Sequence, residues 1–332
     1  MACSVTVQLA KGLFMMHVKK TVRIFYLFFL AFFFARADDV FGLEKFFYGA
    51  STKGASNAYA FIGIERDIFV KEGVEFIPLY MGIPPARAAL VSGEINGISF
   101  NPASPKRGAP EVQVFSLNKS SGWFLMTKSS IREFKQLVGK NIAVGSIGTT
   151  AYQLTQWILA RNGVDPNAVT FIGGRGGSAI RVQMLLAGAV DGVVLVAPYN
   201  RVAQQKGFYQ LGDYTSVPLM QNGLTVNRGR MKNQEALLKR VLRGMVKSLI
   251  YTMSHRSETA AWLAKHTGVS KGDAEVVFDT MIETSTQYGL PPAVAVENFI
   301  KFSGVPKEQV GEFYDYSLLK EVLQEMGIKT DL

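Results

Sequence analysis

Three short stretches combine glycine with hydroxyl side chains directly after apolar runs: Ala50-Ser51-Thr52-Lys53-Gly54-Ala55-Ser56, Gly145-Ser146-Ile147-Gly148-Thr149-Thr150 and Gly173-Gly174-Arg175-Gly176-Gly177-Ser178. Glycine lets the main chain approach a ligand, hydroxyls donate hydrogen bonds, and a helix opening just downstream presents free N–H groups carrying about half a unit of positive charge. Such a set suits an oxyanion. Lys53 and Arg175 are its only basic residues and no acid accompanies them, which makes Ser51, Thr52, Lys53, Ser146, Thr149, Thr150 and Arg175 the candidates for holding an anionic head group. The same hydroxyls serve equally as helix caps. Asn101, Ser121, Trp123 and Tyr199 stand at the ends of other apolar runs, and the two aromatic rings suit either stacking on a neutral heterocycle or core packing.

Catalytic chemistry has less to work with. Beyond residue 37 the only histidines are His255 and His266, there is no His-Glu-x-x-His run, and the single cysteine, Cys3, lies upstream. Neither a thiol nucleophile nor a Cys/His metal site can be assembled from that set, and no cofactor is expected. Gly174-Arg175-Gly176-Gly177-Ser178-Ala179 fits a dinucleotide fingerprint. However, Asp191 follows Gly176 by only fifteen residues, where the ribose-binding acid stands about twenty on. A dinucleotide-dependent α/β enzyme is therefore the alternative reading, and a sensor or binding subunit without transport is a third.

Helical patterns separate the apolar runs. Strands are expected near 46–50, 74–79, 97–100, 112–117, 123–127, 141–144, 169–172 and 192–196, with helices near 57–69, 84–91, 149–162 and 178–186. This alternation predicts parallel β-α-β units. Pro84 and Pro85 suit a first helical turn and Gly93 a helix end. Leu237, Leu238, Val241, Leu242, Met245, Val246, Leu249 and Ile250 recur at three and four, the stripe of an amphipathic helix. Ser270 with Asp273 reads as a capping box.

The first 37 residues read as an export signal. Lys19, Lys20 and Arg23 precede twelve apolar residues, Ile24 to Ala35, and Ala35-Arg36-Ala37 supplies a small-x-small cleavage site before Asp38. Twelve residues make about 18 Å of helix, short of a bilayer core of about 30 Å. Initiation at Met15 or Met16 would suffice for this signal. Cleavage after Ala37 leaves 295 residues and lowers the net charge from +10 to +5, because the segment holds five basic residues and no acid. The remaining charge is mixed, which disfavours nucleic acid as a partner. The length calls for two lobes.

Four stretches, in order, resemble a known family: Ala60 to Val74, with Glu72-Gly73-Val74; Ala88 to Gly97, with Leu90-Val91-Ser92-Gly93-Glu94-Ile95-Asn96; Leu137 to Thr150; and Met184 to Pro198, with Ala187-Gly188-Ala189-Val190-Asp191-Gly192. The chain is similar to the periplasmic solute-binding proteins of the nitrate, taurine, sulfonate and thiamine-pyrimidine-precursor (SsuA/THI5-like) ABC transporter family. Asp67 stands where that family has glycine, and Asn96 where it has aspartate. The resemblance implies a type II periplasmic-binding-protein fold, two doubly wound α/β lobes joined by a two-strand hinge. Lobe one would comprise 38–125 and 220–332, and lobe two 126–219. It further implies a non-enzymatic periplasmic receptor, expected to be a monomer, that closes on a small solute and delivers it to an inner-membrane ABC permease with a cytoplasmic ATPase; the loops favour an anionic solute, with a neutral heterocycle as the alternative. The hinge is expected near 121–127 and 220–226.

Overall fold

The computed structural model describes residues 42–50, 53–102, 110–173, 177–303 and 311–330; the segment expected to be an export signal lies outside them. Runs of Val, Ile, Leu and Phe buried on both sides form the central strands of two five-stranded mixed sheets, as expected where helices cover both faces. The first sheet has the order β2-β1-β3-β10-β4, built from β1 (Glu44–Ala50), β2 (Val74–Tyr80), β3 (Gly97–Ile98), β4 (Glu111–Ser120) and β10 (Pro218–Asn227). β1 runs parallel to β2 and β3, and β10 antiparallel to β3 and β4. The second has the order β7-β6-β8-β5-β9, from β5 (Trp123–Thr127), β6 (Asn141–Val144), β7 (Thr170–Gly173), β8 (Gly192–Val196) and β9 (Tyr209–Asp213). There β6 is parallel to β7 and β8, while β5 lies antiparallel between β8 and β9. The expected class, two α/β lobes with helices on both faces of each sheet, is the one observed.

The helices are α1 (Ala58–Glu65), α2 (Ile83–Ser92), α3 (Thr150–Arg161), α4 (Gly177–Leu186), α5 (Tyr199–Gln205), the single turn α6 (Arg228–Met231), α7 (Glu235–Ser254), α8 (Arg256–Thr267), α9 (Lys271–Thr284), α10 (Ala293–Ser303) and α11 (Ser317–Glu325). None is long and apolar enough to cross a membrane among the described residues. On the first sheet, the predicted stripe of α7 from Leu237 to Leu249 and Leu319, Val322 and Leu323 of α11 cover one face, while Ala86 and Leu90 of α2 cover the other; Ile250, also expected in the stripe, is exposed. On the second, α4 and α5 bury Val182, Leu185 and Ala203 on one face; α3 and α10 bury Leu154, Leu159, Val296 and Phe299 on the other. α10 thus joins the second core although it comes from the C-terminal part of the chain, and β5 begins the second sheet at Trp123.

Single side chains account for details that the sequence leaves open. Asp67 has φ of 54°, the left-handed region that glycine favours and that Asp tolerates better than most residues. Asn96 Oδ1 accepts the Phe47 N–H at 2.8 Å, tying β1 to the turn before β3. Asp191 does the same in the second lobe: Oδ2 accepts the Asn141 N–H at 3.0 Å and Oδ1 takes Lys128 Nζ at 2.7 Å. An amide serves at one position and a carboxylate at the other, because accepting an N–H needs only the oxygen. Ser270 Oγ accepts the Asp273 N–H at 3.1 Å and donates to its carboxylate at 2.6 Å, the cap expected of that pair.

Two crossings join the sheets, Ser121–Gly122 and Tyr214–Val217. They are zipped together by Ser121 N–H to Val217 O at 2.9 Å and Tyr214 N–H to Trp123 O at 3.0 Å. Thr127 and Val226, at the far ends of the expected hinge segments, are embedded in strands.

Candidate functional site

In each sheet the strand order reverses at one place, between β1 and β3 in the first and between β6 and β8 in the second. Ligands of doubly wound sheets bind beyond the strand ends at such a reversal. Here the two reversals approach each other. Ala197, immediately after β8, packs on the second lobe's core and also on the cluster of Ala58, Phe61, Trp262, Ala274 and Phe278, which Ala55 adjoins. Beside it α5 reaches α9, where Arg201 Nε lies 3.4 Å from Asp273 Oδ1 and Gln205 Nε2 donates to Asp273 Oδ2.

The residues chosen from sequence are distributed around this junction as follows. Ser146 and Thr149 are exposed and Thr150 half-buried on the loop from β6 into α3. Thr149 is the N-cap residue, but its hydroxyl donates back to Ser146 O at 2.7 Å and makes no bond to the helix amides. Tyr199 opens α5 and is half-buried against the β8 side of the second core. Trp123 pairs with Val196, the last residue of β8, with its ring half-buried in the other core of that lobe. Ser121 is buried in the first crossing, its Oγ 3.4 Å from the Trp123 N–H. Asn101 follows β3 and is engaged with β10: Oδ1 accepts the Asn222 N–H at 2.8 Å and Nδ2 donates to Met220 O at 3.3 Å. Ser51, Thr52 and Arg175, and with them Gly174 and Gly176 of the dinucleotide-like run, lie outside the described residues.

Lys53 has a partner that a one-dimensional reading of its loop does not reveal. Its ammonium sits 2.8 Å from Glu65 Oε1, on α1, and 5.5 Å from the ring centres of both Phe61 and Trp262. Burial alone would push the Glu65 carboxyl up, yet the hydrogen bond and charge of Lys53 hold it below its ordinary value. Lys53 is thereby compensated within its own lobe. His266 stands at the same cluster, its ring 4.4 Å from that of Trp262. Desolvation first, then the Lys53 charge, holds its imidazole below the usual value. The folded protein therefore takes up that proton less readily than the unfolded chain. The stability this contributes is complete above the unfolded value of about 6.5 and is lost as the pH falls through the depressed folded value. Melting curves between about pH 7.5 and about pH 5.5 should accordingly fall less steeply in His266→Gln than in the parent. Parallel curves would assign the acid sensitivity elsewhere.

One functional candidate stands outside the loops to which the sequence points. Arg181, in the second turn of α4, is only 8% exposed. Its Nε donates to Val194 O at 2.7 Å and its Nη2 to Ser178 Oγ at 3.0 Å. A signal did exist: Ser178, Arg181, Val182 and Leu185 recur at helical spacing, and all four are buried, so a charge lay on an otherwise inward-facing stripe.

Comparison with known proteins agrees with this architecture. The family model described as NMT1/THI5 like matches residues 99–259. No curated protein matches the chain by sequence. Among solved structures, the periplasmic nitrate-binding protein NrtA from Synechocystis PCC 6803 superposes with a TM-score of 0.69 at 14% identity, covering 87% of this chain and 90% of that one. The periplasmic aliphatic sulphonate binding protein SsuA from Escherichia coli gives 0.66 at 18% identity, covering 81% and 91%. The desulfurization enzyme DSZB gives 0.63 at 13% identity, covering 85% and 99%. The fold is thus shared by transport proteins and at least one enzyme.

Proposed function

From a chain that is NMT1/THI5-like over residues 99–259 and folds as a two-lobed binding protein, we propose that it is the extracytoplasmic receptor of an ABC-type importer. It captures a small organic solute between its lobes and releases it to an inner-membrane permease driven by a cytoplasmic ATPase. The observation that carries this reading is the meeting of the two strand-order reversals at Ala197, with the two short crossings between the sheets and the passage from α9 into α10 as connections about which the lobes can swing. Solute favours the closed form because only there does it touch both lobes. The export signal fits that location, with the mature protein beginning at Asp38, and N-terminal sequencing of the secreted product is the check.

An enzymatic role has weaker support. Beyond residue 37 the chain has no cysteine. His255 is exposed at the junction of α7 and α8 and His266 is packed on Trp262, neither at a strand end. The receptor reading is tested by identifying, through native mass spectrometry, the solute that copurifies, and then comparing small-angle scattering of the emptied and reloaded protein. The loaded protein should have the smaller radius of gyration. Identical dimensions with a verified tight ligand would overturn closure.

A further inference from the structure

We propose that Arg181 is the counter-charge of the solute site, holding an oxyanion head group at the strand-order reversal of the second lobe together with the free amides that open α3. This rests on the receptor reading above and gives it a solute class and a specificity residue.

The argument begins with charge accounting. Among the described residues four charged side chains are about nine-tenths buried or more, Glu72, Glu111, Arg181 and Asp273, and Glu72 pairs with Arg243 and Lys247. Glu111 pairs with Arg87, and Asp273 with Arg201. Arg181 alone has no carboxylate; its bonds go to two neutral oxygens, Val194 O and Ser178 Oγ, and its third nitrogen, Nη1, has no acceptor among the described residues. Buried charges are ordinarily paired, because desolvating an ion without compensation is expensive. Burial pushes this guanidinium down only to about 10, so it remains charged at neutral pH.

Direction supplies the second part. Nη1 lies 3.9 Å from where a Cβ on Gly145 would stand. Gly145 is the residue directly after β6, and the loop it opens leads through Ser146 to the start of α3. Its φ is not in the left-handed region, so no backbone demand requires glycine there, and the missing side chain keeps the approach to Nη1 open. At the other end of the loop the Thr149 hydroxyl is turned to Ser146 O, leaving the first amides of α3 to a ligand. A cation and a helix N-terminus meeting at one short loop are complementary to a carboxylate, a sulfonate or nitrate. A cationic solute would be repelled, and a neutral one would leave the buried charge uncompensated. Lys53, neutralised by Glu65, cannot serve this purpose without first breaking its own pair.

The test is calorimetric titration of the exported protein, emptied of copurified solute, with ethanesulfonate, nitrate and acetate, and with uracil as a neutral probe. At least one anion should bind with one-to-one stoichiometry and weaken as salt is raised. Arg181→Gln should reduce its affinity roughly 10- to 150-fold, the loss of one charge-assisted hydrogen bond, and Arg181→Lys should recover part of it. If melting curves reveal that Arg181→Gln does not fold, Gly145→Ala decides. Its methyl meets Nη1 at an ordinary contact distance, so the variant should fold yet bind the same anion several-fold more weakly. Anion binding within about twofold of the parent in a folded Arg181→Gln would overturn the proposal. So would failure of all three anions in a protein that closes on its copurifying solute or on uracil, an outcome that leaves the receptor reading standing. Anion binding through Arg181 with no change in molecular dimensions would do the reverse, keeping the site and removing the receptor.

Discussion

Replacing Gly223 by alanine should unfold the protein or lower its stability by about 3 kcal/mol or more. Gly223 lies within β10 at φ of 127°, where an added Cβ would come 2.0 Å from Phe115 O, 2.9 Å from Phe115 C and 3.0 Å from Leu117 N. All three atoms are main chain of the neighbouring strand β4, so no rotamer change relieves the clash and one strand must leave the other. The Gly223 carbonyl also accepts the buried hydroxyls of Tyr48 at 2.8 Å and Tyr59 at 3.3 Å. Moving it strands two phenols, each at a cost of about 1–3 kcal/mol. Gly223 falls in the segment expected to be a hinge, but its carbonyl bonds and the close approach of β4 make it a rigid join between sheet and core. Urea unfolding is the measurement. Gly122→Ala is the control, since nothing lies within 4 Å of its Cβ position and its φ is unremarkable; that change should stay within about 0.5 kcal/mol of the parent. Similar midpoints for both variants would mean that β10 slides off β4 freely.

Arg201→Met should loosen the closed form. Arg201 and Gln205 of α5 share Asp273 at the start of α9, a polar contact between the two lobes beside Ala197. The substitution leaves the Ser270 cap on Asp273 in place. The Ser270 hydroxyl first, then Gln205 and Arg201, outweigh desolvation and hold the Asp273 carboxyl below its ordinary value. Its contribution is thus present above the unfolded value of about 3.9 and disappears as the pH falls through the lowered folded one, leaving the contact charged at neutral pH. The guanidinium is 38% exposed, so solvent screening keeps the pair modest. Solute affinity should drop about two- to tenfold, with a larger radius of gyration in the empty protein and nearly unchanged melting temperature. A fall in melting temperature with no change in dimensions would make the contact structural and not a latch.

Much of the frame was legible in one dimension. β5, β6 and β8 fall on the residues expected of them, the stripe from Leu237 to Ile250 lies on α7, and Gly93 ends α2 at φ of 82° with its N–H on Ala89 O. These features depend on periodicity, turn chemistry and capping, which act over a few residues. The resemblance across residues 60–198 carried the two-lobed fold for a related reason: its fragments are strand ends and helix caps whose residue types obey local rules, as Asp67 does in its left-handed turn.

The site was legible only in outline. Gly145, Ser146 and Thr149 were identifiable because glycine and hydroxyls before a helix have a local meaning. Electrostatic partnership has none. Glu65 reaches Lys53 from the end of the following helix, Asp273 meets Arg201 from 72 positions away, and among the described residues no acid arrives beside Arg181. The sequence alone determined eight of the ten strands, the starts of most helices and that glycine loops follow the strands, but not β9, β10 or α5. Which charges are cancelled and which remains for a ligand was decided by tertiary structure, because Coulomb energy and desolvation depend on distances and burial that exist only once the lobes have packed.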